Sequence, residues 1–153
     1  MNVFAIGSGK RIDELKIRIE KIEVSENVSD LIKKANSGDI IIHFWESESI
    51  DDLSDIIHIE GLNVFINSVN STLSEIKVFT GEFKANVFGF TGIPGFIDRR
   101  KWDLTKSGNS DIDQVSDFFK ILNTKPVIVQ DRVGMVTPRV VSMIINEAYY
   151  TVM

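Results

Sequence analysis

Gly7-Ser8-Gly9 stands between an apolar run, Val3 to Ile6, and a segment with helical spacing that begins at Lys10. A glycine turn at such a junction lets backbone amides approach a pyrophosphate at the start of a helix, the chemistry of the G-x-G-x-x-G turn. Gly7, Gly9 and Lys10 are therefore the candidate cofactor-binding residues, with Arg11 as a second cation for an anion at this helix start. The third glycine position holds Ile12, which predicts either a helix displaced outward or a turn that holds no cofactor. NAD is the cofactor such a turn would take, and Ile12 counts against it. A plain tight turn would use the same two glycines.

The sequence has two histidines, His43 and His58. His43 ends the most apolar run of the chain, Asp39 to Trp45, and so is expected near a ligand crevice. It is a candidate base or polar ligand contact, or else a strand-end histidine satisfied by hydrogen bonds. His58 follows an acidic segment and is expected at the surface. Phe44 and Trp45 would cover an adenine-like ring or fill the cleft, and filling is the favoured reading. Asp98-Arg99-Arg100-Lys101 reads as a solvated charged loop, with a phosphate of CoA as the alternative contact for its cations.

These residues need a scaffold. Apolar runs at Val3–Ile6, Ile22–Val24, Asp39–Trp45, Leu62–Ile66, Ala85–Phe90, Trp102–Leu104 and Pro126–Val129 read as strands. Helical spacing marks Lys10 to Lys21, Ser25 to Ser37 (ended by Gly38), Ser49 to Ile57 and Asp111 to Leu122. Strands alternating with helices predict parallel strands joined by right-handed crossovers. The expected fold is α/β: a Rossmann-like, doubly wound, mostly parallel sheet over residues 1–130, with a mixed region in its second half. Residues 131–153 hold a long C-terminal helix.

Composition narrows the function classes. The chain has 153 residues, a formal charge of -5 and no cysteine. Length predicts one sizeable core. The acidic balance argues against a nucleic-acid partner, and the missing thiols exclude disulfides and thiolate zinc sites. No metal site is expected. No apolar run reaches the ~20 residues that span a bilayer, and the start of the chain lacks a basic, then apolar leader. A cytoplasmic location and no membrane partner are the expectation.

Lys125-Pro126-Val127-Ile128-Val129-Gln130-Asp131-Arg132-Val133-Gly134-Met135, followed by Arg139 and then Asn146-Glu147-Ala148, resembles the domain junction of 3-hydroxyacyl-CoA dehydrogenases. That family has a K-x-P-V-x-V-x-D-x-P-G-F stretch, then N-R, then a long helix with N-E-A. The glycine turn, Gly38-Asp39 and the passage from Phe90 to Trp102-Asp103 follow in family order. The resemblance implies an NAD-dependent oxidoreductase of fatty acid metabolism acting on an acyl-CoA. Carried over position by position, it puts the family's catalytic histidine at or near Phe88 and its glutamate partner at Asp103. The asparagine of N-R becomes Pro138, and the acidic ribose-binding residue becomes Glu23 or Glu26. Asp103 and His43 are thus the only catalytic candidates. Impaired or absent oxidoreductase activity is expected, since the reaction needs a base for the hydroxyl proton. The alternative is a non-catalytic protein that binds a nucleotide or acyl-CoA, or that acts through a dimer surface.

The last segment, Val140 to Met153, carries two adjacent apolar stripes: Val140, Met143 and Ile144, then Val141, Ile145, Ala148, Tyr149 and Val152. By the resemblance it corresponds to the first helix of the family's all-helical domain. So wide an apolar surface needs cover. Two covers are open: the chain's own sheet, or a second copy in a homodimer, the favoured one.

Overall fold

The computed structural model describes residues 1–46 and 50–152. Seven strands of the described residues form one sheet: β1 (Val3–Ile6), β2 (Ile22–Ser25), β3 (Ile40–His43), β4 (Asn63–Asn67), β5 (Asn86–Phe90), β6 (Lys101–Lys106) and β7 (Lys125–Ile128). The order is β2-β1-β3-β4-β5-β6-β7. The first five run parallel, β6 is antiparallel to β5, and β7 is parallel to β6. This is the doubly wound α/β fold with a mixed second half.

Two cores sandwich the sheet, because successive strand residues point to opposite faces. Val3 and Ala5 join Ile40, Ile42, Phe65, Phe88, Phe90 and Leu104 on the face covered by α1 (Lys10–Arg18) and α5 (Ser116–Ile121). Phe4 and Ile6 join Ile41, Val64, Ile66 and Val87 on the face covered by α2 (Val28–Ile32), α3 (Ile50–Ile57) and α4 (Leu73–Thr80). Ile12 and Leu15 bury one side of α1. The first face is strongly aromatic: Phe65 stacks on Phe88 at 5.2 Å, and Phe90 stacks on Trp102 at 5.2 Å.

Several elements differ from their sequence-based extents. The helix expected over Ser25 to Ser37 is the short α2, capped by the Asn27 side chain accepting from the Ser29 amide. Asp111 to Leu122 divides into a 3-10 turn, Asp113–Val115, and α5. The predicted start of α3 at Ser49 lies outside the described residues; its described part begins at Ile50. Helix α4 is not among the elements that periodicity predicts, although Thr72-Leu73-Ser74-Glu75 carries a start signal. The Thr72 hydroxyl accepts from the Glu75 amide at 3.0 Å, and the Glu75 carboxylate accepts from the Thr72 amide at 2.8 Å.

The last helix, α6 (Val136–Val152), has no buried residue. The chain's own sheet is already covered on both faces, so it does not shelter this helix. Its N-terminus is tied down by Asp103 of β6, which accepts from the Thr137 amide at 2.6 Å.

Candidate functional site

The chain leaves β1 in one direction to build β2 and crosses back to place β3 on the other side of β1. Open sheets of this kind bind ligands at that switch point, outside the C-terminal strand ends. A crevice of about 270 Å³ occupies the place here, lined by Ile6, Gly7, Ser8, Arg11, Glu26, His43, Phe44, Trp45, Glu46 and Asp52. Tertiary structure thus brings Gly7 and His43 together. Gly9 caps α1 with φ +71° and no side-chain cap, and space around it is open. Among the described residues the first amides of α1 therefore have no side-chain acceptor. Lys10 is exposed and not among the lining residues; Arg11 lines the crevice.

Gly7 has a different reason to be glycine. A Cβ there would lie 3.1 Å from Phe44, and its φ is +145°. Phe44 fills the space beside Gly7, and it packs edge-on against Phe90 at 5.6 Å. Phe44 and Trp45 are both buried, so filling is what the two rings do. Arg11 sits 5.5 Å from the Phe44 ring and is ion-paired with Glu46. The crevice thus holds one guanidinium against three carboxylates, Glu26, Glu46 and Asp52, a balance that disfavours a polyphosphate.

Glu26 follows β2 directly and reaches the crevice, whereas Glu23 pairs with Lys34. An acidic residue at the end of the second strand is where a ribose hydroxyl finds its acceptor in this fold. Of the two glutamates, Glu26 is the one that lines the crevice.

His43 is 7% exposed, and neither ring nitrogen has a hydrogen-bond partner among the described residues. Burial pushes its pKa down to about 4, against the opposing charge of Asp52. The ring is therefore neutral at pH 7 and is a poor store for a proton there. His58 is half-buried, its Nδ1 3.4 Å from the Ser54 hydroxyl.

Beyond β3 the same sheet edge is closed. Asn67 at the end of β4 donates to the Trp45 carbonyl at 3.0 Å and accepts from the Gly92 amide at 2.9 Å, stitching the ends of β3, β4 and β5 together. The linker between β7 and α6 lies over this seam. Gly134 donates to the Val69 carbonyl at 2.7 Å, and Met135, 1% exposed, brings its sulfur 3.5 Å from the Ser68 hydroxyl. Asp131 completes the closure by accepting from the amides of Leu73 and Ser74 at 3.0 and 2.9 Å.

The two catalytic candidates do not meet. His43 ends β3 and Asp103 sits in β6, three strands away, or roughly 14 Å at ordinary strand spacing. Phe88, at the position the resemblance assigns to a histidine, is fully buried and stacks on Phe65, which in turn packs against the α5 aromatics Phe118 and Phe119. The charged loop is engaged locally: Asp98 pairs with Arg18 at 2.5 Å, and Arg99 lies 4.1 Å over the Phe96 ring. Among the described residues no cluster of His, Asp or Glu could hold a metal ion, and no helix is long and apolar enough to cross a membrane.

No sequence-family profile matches the chain, and neither does any curated protein. Solved structures do match. The (S)-3-hydroxybutyryl-CoA dehydrogenase PaaH1 from Ralstonia eutropha superposes with a TM-score of 0.59 at 21% identity, over 84% of this chain and 46% of that one. The 3-hydroxyacyl-CoA dehydrogenase from Archaeoglobus fulgidus gives 0.62 at 11% identity, over 99% and 64%. A pyridine-carboxylate 5-dehydrogenase, an NAD+-dependent dismutase, gives 0.58 at 17% identity, over 93% and 49%. The chain spans about half to two-thirds of the length of these enzymes. In fold, it is similar to the 3-hydroxyacyl-CoA dehydrogenases that the residues from Lys125 to Ala148 resemble.

Proposed function

We propose that this chain is a non-catalytic relative of the 3-hydroxyacyl-CoA dehydrogenases whose crevice takes the adenosine part of a nucleotide and performs no hydride transfer. One observation carries the reading: the two halves of the ligand edge are built differently. Glu26, the open turn at Gly9 and the unpaired ring of His43 surround the β1/β3 end. Asn67 and Met135 close the β4/β5 end, where the rest of a dinucleotide would continue. Volume supports the same division, since about 270 Å³ falls just below the ~300–1,000 Å³ of ordinary small-molecule sites. A nucleoside or mononucleotide suits that space better than NAD. Glu26 would accept from ribose hydroxyls, the α1 amides would face a single phosphate, and His43 would hydrogen-bond a polar edge of the ligand. NAD, if it binds, does so through its adenosine end.

Dehydrogenation needs a group to take the hydroxyl proton beside the hydride acceptor. Phe88 and Phe90 stand in the strand where such a group would be sought, and both are fully buried. The test compares ligands by thermal shift and calorimetry. Adenosine and AMP should raise Tm, NAD+ should do no better than AMP, and nicotinamide mononucleotide should have no effect. NADH with acetoacetyl-CoA should show no loss of nicotinamide absorbance. Turnover in that assay would overturn the non-catalytic reading; no response to millimolar adenosine or AMP would remove the nucleotide site.

A further inference from the structure

Helix α6 leaves the domain with nothing packed on it. Val136, Val140, Met143, Ile144, Ile145, Tyr149, Tyr150 and Val152 are between 46% and 88% exposed. Four of them, Val136, Val140, Met143 and Tyr150, share one face of the helix and present roughly 450 Å², against the ~800 Å² that each partner contributes to an interface of ordinary size. With the exposed side chains of Arg139 and Glu147 on the same face, that suits one partner helix at the small end of stable interfaces.

The sequence of the helix says which partner. At 100° per residue, Val136, Arg139, Val140, Met143, Glu147 and Tyr150 fall within a sector of roughly 100°. Val136, Met143 and Tyr150 repeat every seven residues, the spacing of a helix–helix seam. Arg139 and Glu147 are the only charged residues of α6, and both are exposed. Among the described residues neither makes an ion pair. They lie four positions on either side of Met143.

We infer that α6 pairs antiparallel with α6 of a second copy of this chain, about a two-fold axis at Met143. This interface is independent of the crevice. The symmetry puts Arg139 of each copy level with Glu147 of the other, about 12 Å along the helix from the reciprocal pair. Val136 of each copy comes level with Tyr150 of the other, and the two Met143 side chains meet on the axis. A parallel pair would set Arg139 against Arg139 and Glu147 against Glu147, so the charges select orientation as well as register.

Charge reversal tests this with the whole 153-residue chain. Wild type should sediment as a dimer at micromolar concentration. Arg139→Glu makes the seam wholly acidic and Glu147→Arg makes it wholly basic, so each variant alone should dimerise at least ~10-fold more weakly. Mixed in equal amounts, they should form a heterodimer of near wild-type strength, because each then faces the opposite charge. Both positions are exposed, and unchanged circular dichroism confirms that the variants fold. Because the chain has no cysteine, Met143→Cys supplies a unique thiol at the axis and should form a disulfide-linked dimer under mild oxidation, whereas Ile145→Cys, on the far side of the helix, should not. A wild-type monomer at every concentration, whatever else it binds, overturns the proposal. So does a mixture of the two charge variants that stays monomeric.

Discussion

The two halves of the sheet's C-terminal edge share a backbone plan and differ in what fills them. At β1/β3 the strand ends pair through the backbone, Phe44 donating to the Ile6 carbonyl, while α1 begins without a side-chain cap and polar groups face a crevice. At β4/β5 the strand ends are bridged by Asn67, covered by Met135 and underlain by stacked aromatics. Both ends derive from one doubly wound topology. The topology therefore sets where a ligand can lie, and the side chains set how much of that length remains.

The contrast can be broken from either side. The largest effect belongs to the packed half. Phe90 is fully buried between Phe44 and Trp102, so Phe90→Ala should cost about 4 kcal/mol in urea denaturation. A cost under ~1 kcal/mol would mean that this region is loosely packed and open to a ligand.

Next comes the pH dependence carried by His43. The native state keeps the ring neutral down to about pH 4, while the unfolded chain takes up its proton near pH 6.5. The unfolded state is therefore favoured as pH falls through that window. Stability is full above pH 6.5 and should fall by about 3 kcal/mol by pH 4 through this group alone. His43→Leu should remove that slope. An unchanged difference between wild type and variant across the window would show that the ring is not buried neutral.

Asn67→Ala leaves the Trp45 carbonyl and the Gly92 amide without their partner, for a loss of about 2 kcal/mol. It should also increase hydrogen exchange at Gly92. The smallest stability effect belongs to the open half. Glu26→Gln should leave Tm within about 1 °C while weakening adenosine binding by ~10-fold by calorimetry. Equal binding by wild type and variant would move the ribose acceptor elsewhere.

Much of the scaffold is legible in the amino-acid sequence. The strands through β7 follow from apolar runs, and α1 from its three-and-four spacing, because both periodicities are local consequences of which face is buried. Helix α4 escapes such a reading because its inward-facing apolar positions are few: Val78 and Phe79 point outward, 80% and 78% exposed. Its start is written in the Thr72–Glu75 capping box, a signal of spacing and not of hydrophobicity. The candidate site is legible in part. Gly7 and His43 can be placed near one another because both end strands that flank a crossover. The family resemblance makes Asp103 a partner of catalysis; the fold adds that its carboxylate accepts from the Thr137 amide at the start of α6. That contact spans 34 residues, so no local window contains it.

The sequence alone determined the alternation of strands and helices, the absence of a histidine near Phe88, and the apolar character of α6, because each depends on residue type and spacing along one segment. Tertiary structure decided which of Glu23 and Glu26 reaches the crevice, that Phe44 fills the side of the turn beside Gly7, and that Asn67 and Met135 close the β4/β5 half of the sheet's C-terminal edge. Those outcomes depend on strand order and on contacts between residues far apart in the chain, such as Ser68 and Met135, whose meeting exists only once the sheet has brought its strand ends to one rim.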